Sequence, residues 1–98
     1  MEKLRKKIDS IDYELAEVLG RRMKIVEEMA KYKKSRGIKL RHLKREEVVL
    51  KKFADNCGKK GIDPAFGKRL MKEIIKYSIK TQKNVINRKD KTCYSETE

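Results

Sequence analysis

The chain has 98 residues, with 28 lysines and arginines against 15 acidic residues, a formal net charge of +13. That length makes one domain whose own core is marginal, and no stretch is apolar for long enough to span a membrane. Cys57 and Cys93 have neither metal nor disulfide-framework spacing, so a cytoplasmic protein is expected, with Cys57 in the core and Cys93 in a tail.

The first segment, from Leu4 to about Arg36, holds no proline and one glycine, Gly20. Its apolar residues recur at Leu4, Ile8, Ile11, Leu15, Val18, Ile25, Met29 and Tyr32, steps of three and four that predict one long amphipathic helix. Arg22 fills the gap in that series. A cation in a dry seam is costly unless an anion meets it: either a bound anionic ligand does so, or the side chain snorkels to the edge or pairs with a glutamate. About 33 residues at ~1.5 Å each give a rod of roughly 50 Å. A compact chain of this size has a radius of gyration near 13 Å. The rod overshoots its own globule, and a second copy laid alongside would cover the surplus stripe.

Gly37 is a suitable residue to end that helix after a basic last turn, and Ile38 to Leu43 forms a short connection. A second helix is expected from Lys44 to about Cys57, with Val49, Leu50, Phe53, Ala54 and Cys57 on one face and Gly58 ending it. Asp63-Pro64 is a strong helix start, an N-cap acid before proline at N1. The third helix then runs to about Ile86, with Phe66, Leu70, Met71, Ile74, Ile75, Ser78, Gln82 and Val85 inward. Residues 1–86 form the domain. Residues 87–98 are polar, without period, and expected to be disordered.

Polar residues stand on all three helical faces where apolar ones are expected. Arg22 and Lys33, eleven apart, point the same way about 16 Å apart and can close on one small anion. Arg45 and Glu46 lie near a helix N-terminus, which itself favours an anion. Ser78 and Gln82, an i, i+4 pair, are most simply a helix-to-helix hydrogen bond. Together they describe a pocket between helices lined by three cations, one carboxylate and two neutral groups.

The run LRKKIDSIDYELAEVLGRRMKIVEEMAKYKK, then GIKLRHLKREE, then IIKYSIKTQ, resembles the all-helical chorismate mutases from Leu4 to about Val85. The resemblance implies an all-α fold of three helices per chain, with the long first helices paired in an interlocked homodimer. It implies conversion of chorismate to prephenate, on the way to phenylalanine and tyrosine, with no cofactor and no metal. The implied catalytic residues are Lys33 and Gln82, as donors to the ether oxygen of the substrate. Arg5, Arg22 and Arg45 would clamp the two carboxylates, Glu46 would accept from the ring hydroxyl, and Ser78 would assist. Arg5 lies 17 residues before Arg22, about 25 Å along the axis and ~100° round it, so it would serve the partner's site. His42 departs from the pattern, standing where better-known members carry an aspartate. A site that uses mainly the backbone N–H tolerates the swap, whereas one that uses the side chain has altered affinity.

Three alternatives stay open. An isochorismate pyruvate lyase shares the fold and much of the pocket. The chain is also compatible with a subunit of a larger assembly. A basic helical chain can bind nucleic acid through phosphates, but here the basic residues are scattered round every helix, with no recognised binding motif and little aromatic stacking surface.

Overall fold

A computed structural model describes residues 1–87 and contains three α-helices: α1 (Glu2–Arg36), α2 (Leu43–Lys59) and α3 (Pro64–Asn87). No strand occurs among the described residues. Asn87, expected to open the tail, closes α3 instead. The rest of the expected tail, with Cys93, lies outside the described residues.

The helix boundaries follow from local chemistry. Gly37 takes a left-handed conformation, φ 66°, which a glycine adopts without steric cost. Ile38 N–H then reaches the Lys33 carbonyl at 2.9 Å and Gly37 N–H the Lys34 carbonyl at 3.4 Å, closing the helix in a Schellman arrangement. His42 caps α2, its Nδ1 accepting from Arg45 N–H at 3.0 Å. Asp63 Oδ1 accepts from Ala65 N–H at 3.1 Å in front of Pro64.

Gly58 does not end α2, as its type suggests; it sits inside the helix, which continues to Lys59. A Cβ on Gly58 would stand 3.3 Å from Pro64 Cγ, so its small size serves the packing of the α3 entry. The chain turns at Gly61 instead, at φ 81°, with Ile62 N–H donating to the Cys57 carbonyl at 2.8 Å.

Helix α3 is the middle element. It packs on α1 along one side and α2 along the other, while α1 and α2 make no close approach to each other. Val26 and Ala30 of α1, Cys57 of α2, and Gly67, Met71, Ser78, Gln82 and Val85 of α3 are buried. Phe66 and Leu70, expected to face inward, are 48% and 41% exposed. The buried line of α3 runs beside them through Gly67 and Met71. The absent side chain of Gly67 is what lets α2 in close: a Cβ there would meet Cys57 Sγ at 2.6 Å.

The molecule is a thin slab of 50 × 36 × 14 Å with a radius of gyration of 16.9 Å. Every residue from Met1 to Arg21 is exposed. The apolar stripe from Leu4 to Val18 forms as the spacing predicts, yet 50–58% of each of its side chains faces outward.

Candidate active site

Two helices that flank a third without touching leave a trough over it, and the polar residues gather there. The cavity measures about 160 Å³. Its lining includes Arg22, Val26, Met29 and Lys33 of α1, Leu40 and His42 of the connection, Arg45, Glu46 and Val49 of α2, and Ile75, Ser78, Ile79 and Gln82 of α3. Arg22 and Lys33 stand at the border between the covered line of α1, Val26 and Ala30, and its open line, Ile25, Met29 and Tyr32. That placement lets a long cationic side chain share the protein wall while keeping one side free.

Hydrogen bonds fix the cations from α3. Arg22 Nη1 donates to Ser78 Oγ at 2.8 Å, and Ser78 donates onward to the Ile74 carbonyl at 2.8 Å. Lys33 Nζ donates to Gln82 Oε1 at 3.0 Å and to the Leu40 carbonyl at 2.6 Å. An ammonium has three N–H groups, so one remains for a ligand, as does the Gln82 amide NH₂. Ser78 and Gln82 do make helix-to-helix hydrogen bonds, and those bonds aim the two α1 cations.

None of the described ion pairs involves Arg22, Lys33 or Arg45. The carboxylate in the lining, Glu46, is already taken by Arg41, which is not among the residues that the sequence pattern singles out: Arg41 Nε donates to Oε2 at 3.0 Å and Nη2 to Oε1 at 2.6 Å. That bond holds the Glu46 carboxyl below its ordinary range. Partial burial opposes the shift, and the charges of Arg41, Lys33 and His42 reinforce it. The signal that finds Arg41 is positional, a basic residue just before an N-cap with an acid four residues after the cap.

Arg5 is not brought to this cavity. Its side chain is 70% exposed, and its Nη1 lies 3.9 Å from Glu2 Oε1 at the far end of α1. The cavity within one chain therefore contains Arg22, Lys33, His42, Arg45, Glu46, Ser78 and Gln82, without Arg5.

A three-helix chain with this cation-lined trough matches the family model described as chorismate mutase type II over residues 4–83. The chain belongs to the type II chorismate mutase family. One curated relative is a bifunctional chorismate mutase/prephenate dehydratase of Buchnera aphidicola subsp. Schizaphis graminum (strain Sg), 30% identical over 84 residues. The match covers 86% of this chain but only 22% of that relative. The family match starts at Leu4 and ends at Lys83, so it takes in Arg5 as well as every residue of the trough. No described helix is long and apolar enough to cross a membrane, and no cluster of metal-ligating side chains occurs among the described residues.

Proposed function

We propose that this chain is a chorismate mutase and that the trough is its active site, within a catalytic unit spanning residues 1–86. The observation that carries the proposal is the charge balance of the cavity. Arg22, Lys33 and Arg45 line about 160 Å³ whose one carboxylate is already neutralised by Arg41. Such a site is stabilised by a small ligand with more than one negative charge, and chorismate is a dianion.

The rearrangement breaks an ether C–O bond while a C–C bond forms, in one step and without proton transfer. The protein's work is to hold the substrate folded and to stabilise charge growing on the ether oxygen. Lys33 and Gln82 donate to that oxygen. Arg22 and Arg45 clamp carboxylates, Ser78 holds Arg22 in place, and Glu46 accepts from the ring hydroxyl. His42 contributes through the backbone at the start of α2.

The enzyme acts as a cytoplasmic homodimer in which Arg5 of the partner subunit completes the site. Support comes from the exposed stripe from Leu4 to Val18 and from the 14 Å thickness of the slab, which leave the first half of α1 without cover. The test is to supply chorismate and, separately, isochorismate. Prephenate from chorismate is expected; pyruvate from isochorismate without prephenate formation would make the chain a lyase, and neither product would overturn the assignment.

A further inference from the structure

We infer that Arg41 is a positioning residue, which holds the Glu46 carboxylate in its working orientation from outside the cavity. The kinetic consequence rests on the chorismate mutase proposal; the electrostatic one rests on geometry alone.

Arg41 stands at the residue before the N-cap of α2, and Glu46 four residues after the cap. Helices often join these two positions by an apolar contact that fixes the entry angle of the chain. Here the link is a two-pronged ion pair. Arg41 does not line the cavity. It lines a separate groove on the outer side of α2 and α3, beside Leu50, and Glu46 lies in the wall common to both. The guanidinium therefore grips the carboxylate from behind. Each carboxylate oxygen has two lone pairs, and a paired grip uses one on each. The others stay available to a hydroxyl in the cavity.

Without this grip the carboxylate has other cations to turn to. Lys33 of α1 already acts on Glu46 through its charge, as does His42 at the head of α2. Arg22 and Arg45 share the cavity, while Lys72, Lys76, Lys80 and Lys83 of α3 line the outer groove. A carboxylate swung toward Lys33 would occupy a donor that the substrate needs. Arg41 prevents that collapse and holds the Glu46 carboxyl below its ordinary range.

The experiment compares wild type, Arg41→Ala, Arg41→Lys and Glu46→Gln. Prephenate formation gives kcat/KM against pH, and carbon NMR follows the titration of the Glu46 carboxyl in the free protein. In Arg41→Ala, the Glu46 titration and the acid limb of kcat/KM should both move upward in pH. The loss relative to wild type should be about threefold or less at pH 8 and should grow toward about tenfold only as the pH falls below the ordinary carboxyl value of 4.5. Arg41→Lys should restore part of the displaced limb, and Glu46→Gln should lack the limb. A purely structural Arg41 would lower kcat/KM by the same factor at every pH, and parallel profiles would overturn the inference. Should the wild type form no prephenate, the functional proposal fails separately. The NMR titration then decides alone: an upward move in Arg41→Ala supports the inference and an unmoved one overturns it.

Discussion

Arg22 of α1 donates a 2.8 Å hydrogen bond to Ser78 of α3, and that hydroxyl is a neutral partner for a full positive charge. Ser78 donates its own O–H to the Ile74 carbonyl, so the serine stays satisfied when Arg22 is removed. The guanidinium is placed by this bond without being neutralised by it. Arg22→Leu should therefore leave thermal stability within about 1 kcal/mol of wild type or raise it, while nearly abolishing mutase activity. A clear loss of stability in melts without ligand would mean that Arg22 is primarily structural.

Gln82 accepts from Lys33 through Oε1. Gln82→Glu places a carboxylate beside that ammonium and removes the amide donor. Activity should collapse at neutral pH and recover in part as the pH falls and the acid becomes a donor again. Lys33→Ala should cost about 3–4 kcal/mol of transition-state stabilisation, as for a preorganised donor, with no such recovery. Rate profiles against pH measure both, and an unchanged profile in Gln82→Glu would remove Gln82 from the chemistry.

The Arg41–Glu46 pair also links stability to pH. Arg41 depresses the Glu46 carboxyl below the ordinary value of 4.5. A depressed acid contributes stability that is present above its unfolded value and lost as pH falls through its folded value. Arg41→Gln should thus melt below wild type at pH 6, and the gap should close as the pH falls below the ordinary value of 4.5. The effect is small because the Arg41 side chain is 52% exposed and water screens the pair. Melting curves that keep a constant gap across this range would assign the loss to packing instead.

Gly67 makes a sharper demand on the fold. A Cβ there would stand 2.6 Å from Cys57 Sγ and 3.0 Å from its Cβ. Gly67→Ala should destabilise by about 1–3 kcal/mol, even though alanine is the better helix former. Adding Cys57→Ala removes the nearer atom but not the farther one, so denaturant titration should show partial recovery.

The proposed sharing of Arg5 has its own test. Arg5→Ala and Lys33→Ala should each be inactive as homodimers. When the two are unfolded together and refolded, a mixed dimer has one site with Arg5 from one chain and the remaining groups from the other. Random pairing makes about half the dimers mixed, so roughly a quarter of all sites should regain activity. Mixed dimers that form and stay inactive would place Arg5 outside the shared site.

Much of this architecture is legible in the sequence, because helix ends and faces are written locally. Gly37 and Asp63-Pro64 mark two boundaries correctly, and the face of α2 from Val49 to Cys57 is at least partly covered as its spacing predicts. The failures are tertiary. Gly58 resembles a terminator, and only the nearness of Pro64 explains it within a helix. Phe66 and Leu70 fit an inward period but lie beside the buried line, since periodicity does not tell which of two adjacent apolar lines meets a neighbour. In the candidate site, Arg22, Lys33, Ser78 and Gln82 stand out as polar residues on apolar faces. Arg41 does not, because it lies in a connection where a charged side chain is ordinary.

Lys33 is tied to the α1–α2 connection twice. Its carbonyl accepts Ile38 N–H at 2.9 Å, and its ammonium reaches the Leu40 carbonyl at 2.6 Å. Backbone and side chain of one residue thus grip two points of the same short segment. Such a segment acts as a ruler: side chains along it can be exchanged, but its residue count sets where the ammonium rests. Adding or deleting one residue between Gly37 and Leu40 would shift the charge away from Gln82 even if all three helices folded unchanged. A surface connection of this kind, ordinarily the most forgiving place to lengthen a chain, is here part of the site's calibration.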